Sequence, residues 1–167
     1  TKPNLSMKHL LLVITILLAD SVATLKAQTF TDPNFSATSI GSGWSEPVGA
    51  AFNKLGTKLF VWEKGGKVYV CNWNSTSQTY VKQSTVVLDI SPEVGNWRDH
   101  GLLGFALDPN FDVNGYVYLL YVVDRHHLIY FGTGSYSSTT NDYYKATIGR
   151  ITRYKLITSG GNQVADV

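Results

Sequence analysis

The sequence predicts an all-β fold organised as a partial β-propeller, and three features predict it. Of 167 residues, 44% are hydrophobic, 13% aromatic and only 16% charged, a composition that supports a packed core and favours strands. Short polar turns such as Lys64-Gly65-Gly66 separate short apolar runs, which implies antiparallel neighbours. Two of those runs, Leu59-Phe60-Val61-Trp62 and residues 117–123, are apolar on both faces of the strand. A simple sandwich keeps one face of each sheet wet and alternates, whereas stacked propeller blades are covered on both sides. A closely packed barrel or a large sandwich gives similar runs and is the alternative.

Residues 1–27 are read as upstream residues plus a signal-peptide helix. Met7 is the only methionine, Lys8 and His9 follow it, and residues 10–19 are apolar apart from Thr15. That run is too short to span a bilayer and suits an export leader cut after Ala27, so no stable membrane span is expected after cleavage. Thr1 to Ser6 read as translated sequence upstream of the initiator, and Val167 closes no recognisable motif, so the chain is expected to be a piece of a longer product. Residues 28–43 are rich in Thr, Ser, Gly and Asn and read as an irregular lead-in. The domain proper is then 44–167.

Within it the strand signals come in order. Residues 58–63 and 67–73 form the clearest hairpin, about Lys64-Gly65-Gly66. Further strands are expected at 79–82, 86–90, 102–107, 116–123 and 147–156, with a loop dense in Gly, Ser, Thr and Tyr at 132–141. No segment after the leader has a helical period. At roughly 40 to 50 residues per blade, the domain supplies two to three blades, with an uncovered blade face and unpaired edges.

Charge excludes one class of partner. The chain has 14 basic and 12 acidic side chains, but Lys2, Lys8, Lys26 and Asp20 lie in the leader, leaving eleven of each afterwards. A neutral domain makes no electrostatic case for nucleic acid. The single cysteine, Cys71, excludes an internal disulfide and multi-cysteine zinc sites, and its apolar setting reads as a buried, inert thiol.

The segment Gly101-Leu102-Leu103-Gly104-Phe105-Ala106-Leu107-Asp108-Pro109-Asn110-Phe111, continued by Asn114-Gly115-Tyr116-Val117-Tyr118, resembles the glucose/sorbosone dehydrogenases. Trp44, Pro47, Gly49 to Phe52 and the 59–70 hairpin resemble that family's opening strands, and Gly149-Arg150-Ile151-Thr152-Arg153-Tyr154 its blade-completing strand. The resemblance covers residues 44–157. It implies the first blades of a six-bladed propeller carrying pyrroloquinoline quinone (PQQ) and calcium, with a sugar as substrate and a separate electron acceptor. The histidine general base, the quinone-binding arginines and the calcium ligands are expected beyond Val167. The fragment itself is thus expected to be inactive and to hold neither group.

One pocket element is expected here. The family carries a Gly-Gln-Gly-Gly run before Leu-Leu-Gly, its glutamine facing the sugar; this chain has Trp97-Arg98-Asp99-His100-Gly101. Asp99 takes the glutamine position and His100 the next. An ionised carboxylate accepts hydrogen bonds but donates none, a departure that favours a divergent subfamily or a non-catalytic extracellular propeller for carbohydrate binding or adhesion. Arg98, Asp99 and His100 are therefore candidates for a substrate or cofactor pocket. The competing reading is a loop-stabilising ion pair with a surface histidine.

Three other motifs are weaker. Asp124-Arg125-His126-His127 is read as a solvated strand end, where adjacent histidines point to opposite sides and chelate poorly. Asp108, Asn110 and Asp112 have calcium-loop spacing, but Val113 and Leu119 stand where glycine and glutamate are required, so a turn is expected. Asn34-Phe35-Ser36 and Asn74-Ser75-Thr76 match glycosylation sequons, relevant only in a eukaryotic secretory pathway.

Overall fold

The structure is a computed structural model that describes residues 31–166. The signal-peptide reading of residues 1–27 lies outside the described residues. The chain divides into two units, residues 1–39 and 40–167. In the described part of the first, Asp32 closes a local turn by accepting the Asn34 amide at 2.9 Å. Among the described residues no helix is long and apolar enough to cross a membrane.

The second unit holds two antiparallel sheets. In the first, β1 (Pro47–Phe52), β2 (Lys58–Glu63), β3 (Lys67–Asn74) and β4 (Thr79–Lys82) run in order, and β5 (Leu88–Asp89) shares the β3 edge with β4. In the second, β6 (Leu102–Leu107), β7 (Tyr116–Val122), β8 (Gly149–Ser159) and β9 (Asn162–Ala165) also run in order. Two short helices interrupt it: α1 (Phe111–Asn114) between β6 and β7, and α2 (Arg125–Tyr130) after β7. Neither sheet closes into a barrel.

The register shows that the second sheet repeats the first. Gly49 pairs with Trp62, Ala51 with Phe60 and Phe52 with Leu59; Gly104 pairs with Leu120, Ala106 with Tyr118 and Leu107 with Val117. A bulge falls at the same place in each, between Pro47 and Gly49 and between Leu102 and Gly104. The next strands follow suit, with Val61 opposite Tyr69 and Leu119 opposite Thr152.

Side chains alternate across a strand, so this register assigns the faces. Phe60 and Trp62 point from the first sheet towards the second, where Phe105 stacks on both with centroids 5.5 and 5.3 Å away. From the second sheet Val117, Leu119 and Tyr121 complete the same core and are buried. Leu59, Val61 and Cys71, on the opposite face of the first sheet, are covered by Ile40, Trp44 and Tyr80. The two-sided apolarity of 59–62 is thus fully used. That of 117–123 is used on one face only: Leu120 and its neighbour Ile151 are 47% and 71% exposed.

The same alternation fixes the two ends. The β1–β2 turn and the β6–β7 turn lie at one end, tied by the Asn53 amide donating to Asp112 at 2.8 Å. The β2–β3 turn, residues 83–101 and residues 123–148 lie at the other end, where the Leu102 N–H donates to the Lys64 carbonyl at 2.8 Å. At the outer side Gln83 and Gln163 exchange two hydrogen bonds of 2.8 and 2.9 Å.

The structure corrects several details. Residues 86–90 contribute only the two-residue β5, the strand expected at 147–156 runs from 149 to 159, and β9 was unanticipated. Residues 124–127 are not an extended strand end. Asp124 is the N-cap of α2, accepting the His126 N–H at 2.8 Å, and satisfies a donor that a helix start otherwise leaves free. Residues 108–115 do form the expected turn: Asp108 accepts from the Asn110 N–H, the Asn114 amide and the Tyr118 hydroxyl at 2.9 to 3.0 Å.

Candidate functional site

All three residues singled out from the sequence lie at the end shared by the β2–β3 turn and the two long loops. The segment 93–101 is laced into place there. Val94 bridges Val123, the Gly95 N–H donates to Val122 O at 2.9 Å, and the Asp124 N–H donates to Glu93 O at 2.7 Å. Gly101 sits at φ +149°, and a Cβ there would lie 2.7 Å from the Lys64 carbonyl oxygen. Only glycine allows so close a backbone approach.

On this rim Arg98, Asp99 and His100 do not act as one cluster. The Arg98 guanidinium lies 5.1 Å over the Tyr144 ring, a cation–π contact. Trp97 packs on the same ring at 4.7 Å and on the His100 imidazole at 4.0 Å. Asp99 is exposed, and among the described residues it makes no ion pair with Arg98. The ion pair of the competing reading is therefore replaced by an aromatic clasp, and Asp99 remains exposed. Arg98 and Tyr144, in contact, both hold positive φ, 49° and 60°. Such strain persists where the surroundings over-determine a conformation. Among the described residues the Asn96 Oδ1 and His100 Nδ1 atoms are buried without a hydrogen-bond partner, a cost that most buried polar groups avoid.

Beside the rim is a polar cluster that the sequence reading missed. The Tyr121 hydroxyl donates to Glu93 at 2.7 Å, Arg150 Nη1 lies 3.5 Å from the same carboxylate, and His127 Nε2 lies 3.9 Å from it. Together with Phe131, Thr152 and Tyr154 these groups line a cavity of about 360 Å³. Burial pushes the His127 pKa down, against the pull of the Glu93 carboxylate, and pushes those of Tyr121 and Tyr154 up. The signal for this cluster was Asp124 directly before Arg-His-His-Leu-Ile-Tyr, an N-cap residue opening a short helix. Cys71 is fully buried and burial raises its pKa, as expected for an inert thiol.

Two antiparallel meanders with the same bulged first strand, packed face to face and rimmed by loops at one end, define a mostly-β protein consistent with part of a propeller. Residues 44–153, about two thirds of the chain, match the glucose / sorbosone dehydrogenase family, and the chain belongs to that family. No curated protein matches it. The matched span takes in the rim segment 93–101 and Asp99.

The family is PQQ-dependent in general. Among the described residues no group of three or more His, Cys, Asp or Glu side chains is placed to hold a metal. A polycarboxylate quinone also needs converging cations, whereas the rim offers Arg98, already engaged with Tyr144, beside the carboxyl of Asp99. The described residues do not by themselves fit either group.

Proposed function

We propose that this chain supplies the opening blades of an exported, PQQ-dependent sugar dehydrogenase-like oxidoreductase. The parent would oxidise an aldose or related polyol and pass electrons to a separate acceptor. The observation that carries this reading is the family match over 44–153. The leader in residues 7–27 supports export. The general base, the quinone-binding arginines and the calcium ligands belong on blades other than these two. On this reading the chain by itself is inactive, and its contribution is to orient the sugar at one side of the pocket. The open face bearing Leu120 and Ile151 supports the propeller, since it matches in register the face of the first sheet that carries Phe60, Trp62 and Val68.

The test is acceptor reduction by the full-length parent supplied with quinone, calcium and a panel of aldoses. Turnover that needs all three additions supports the reading. Inactivity across the panel sinks it and favours the second reading, a non-catalytic propeller that binds carbohydrate or mediates adhesion. The replacement of a donor-acceptor glutamine by the acceptor-only Asp99 is what favours that alternative. In an active parent, Asp99→Gln should shift the relative kcat/KM among sugars, because the side chain would touch a substrate hydroxyl.

A further inference from the structure

The two adjacent histidines of α2 each use a ring nitrogen to hold the loop that follows. His126 Nε2 accepts the Ser137 N–H at 3.1 Å, which fixes the neutral tautomer with its proton on Nδ1. His127 Nδ1 meets the Tyr136 hydroxyl at 3.1 Å while its Nε2 faces Glu93 at 3.9 Å. Rings close the same joint: Tyr136 stacks on His126 at 5.8 Å, Phe131 stacks on His127 at 4.6 Å, and Phe131 meets Tyr136 edge-on at 5.3 Å. The chain so held continues to Asp142, whose N–H reaches the Asp124 carboxylate at 3.2 Å, and to Tyr144, the ring under Arg98 and beside Trp97.

We propose that His126 forms a proton-operated clasp on the loop that follows, with His127 as its fixed half. With its ring neutral His126 pins the Ser137 amide to α2, and its protonation releases that amide, whereas His127 holds the Tyr136 hydroxyl in either state because a phenol oxygen can accept as well as donate. The chemistry follows from donor count. A protonated imidazole has two N–H donors and no acceptor, so His126 can no longer receive the Ser137 amide, and the two like dipoles then face each other. Tyr130 and Tyr136 pack on the His126 ring at 4.9 and 5.8 Å. Asp124 caps the helix from its own start. Glu93, from the 93–101 segment, favours a charged His127, while Arg150 on β8 and the neighbouring His126 disfavour it, and burial disfavours it most. His127 thus resists charging until acid conditions, and Asp124 remains bound to the His126 and Asp142 amides in either state. The clasp is a property of these residues alone and stands whether or not the parent is a quinone enzyme.

Hydrogen exchange at the Ser137 amide in the full chain tests it, corrected for the intrinsic pH dependence of exchange and referenced to amides of the β2–β3 hairpin. Between about pH 8 and about pH 5, where histidine titrates, protection at Ser137 should fall about tenfold, the loss expected for one hydrogen bond. His126→Gln offers an amide oxygen that accepts but does not titrate, so its protection should be independent of pH. His126→Phe keeps the stacking and loses the acceptor, so its Ser137 should be unprotected at both extremes. Constant protection in the native chain, or a pH-dependent fall that survives in His126→Gln, overturns the clasp.

Discussion

Gly49→Ala tests the packing of the first sheet at a single atom. An added Cβ would lie 2.1 Å from Cζ2 and 2.5 Å from Cη2 of Trp62, far inside contact distance. Trp62 is 8% exposed and stacked on Phe105, so its indole has no free direction in which to retreat. Overpacking of this kind costs about 1–3 kcal/mol. The φ of Gly49 is not positive, so alanine is compatible with the backbone, and the less flexible unfolded chain offsets about 0.4–1 kcal/mol. The net loss is about 1–2 kcal/mol, which for a domain of this size lowers Tm by roughly 3–10 °C. The equivalent residue of the second sheet supplies the control. A Cβ on Gly104 would lie 3.1 Å from the Leu120 Cβ, tight but a full ångström further than the Gly49 approach to Trp62, so a few tenths of an ångström of adjustment suffice and Gly104→Ala should cost less than Gly49→Ala. Trp62→Leu copies the second-sheet pair into the first. In that background Gly49→Ala should cost no more than Gly104→Ala, and the double-mutant cycle would show a coupling of at least about 0.5 kcal/mol. Equal stability of native and Gly49→Ala chains in urea melts, or additivity with Trp62→Leu, would refute both the contact and the repeat.

Asp124→Ala should destabilise the chain by about 0.5–2 kcal/mol in urea melts through loss of the α2 cap, while Asp124→Asn, which can still accept the His126 amide, should lose less. Asp108 accepts the Asn110 N–H, the Asn114 amide and the Tyr118 hydroxyl, and these bonds hold its carboxyl below the ordinary range. Its stabilisation is therefore complete above the unfolded value near about pH 4 and is lost as pH falls through the lower folded value; Asp108→Asn should flatten the urea midpoint over that acid window. Cys71 should react with a thiol reagent only at the rate of unfolding, because it is fully buried and its thiolate is disfavoured. Labelling of the native chain as fast as that of a free thiol would refute this.

The strands were legible where apolar runs met glycine turns, and residues 58–63, 79–82 and 102–107 fall where the pattern placed them. β9 escaped because Asn-Gln-Val-Ala carries no strand signature; its place is set by backbone pairing with β8 and by the Gln83–Gln163 exchange, 80 positions apart in the chain. α2 escaped because six residues are too few to show a helical period, and its stability comes from one cap and the cluster beneath it. That residues 98–100 lie on a loop before a buried strand was legible in the sequence, but the side-chain arrangement there was not. Tyr144, whose ring lies under Arg98, is more than forty residues further along, beyond the 132–141 loop and in a stretch with no strand or helix signal. The Glu93, Tyr121, His127 and Arg150 cluster likewise draws one residue from each of four segments.

The internal repeat gives those long-range facts a single cause. Matching the two sheets residue by residue, Lys67, Tyr69 and Cys71 of the first correspond to Arg150, Thr152 and Tyr154 of the second. In the first sheet this side is covered by Trp44, packed edge-on against Tyr69 with the Lys82 ammonium 3.7 Å over the indole. In the second sheet the corresponding side faces Glu93 and the α2 rings, and the space left there is the cavity lined by His127, Phe131 and Arg150. The same fold position is thus closed by the Trp44 indole in one repeat and by the Glu93 carboxylate with the α2 rings in the other. Removing the indole exposes apolar surface, which costs stability in proportion to area, whereas removing the carboxylate takes the 2.7 Å acceptor from the Tyr121 hydroxyl, leaving it Thr152 Oγ1 at 3.1 Å, and the ion pair from Arg150. At the first sheet the buried Glu63 carboxylate is taken up by the Ser45 N–H under the Trp44 cover, whereas at the second the Glu93, Tyr121, His127 and Arg150 groups border an open cavity, so it is there that chemistry needing placed polar groups has room to act.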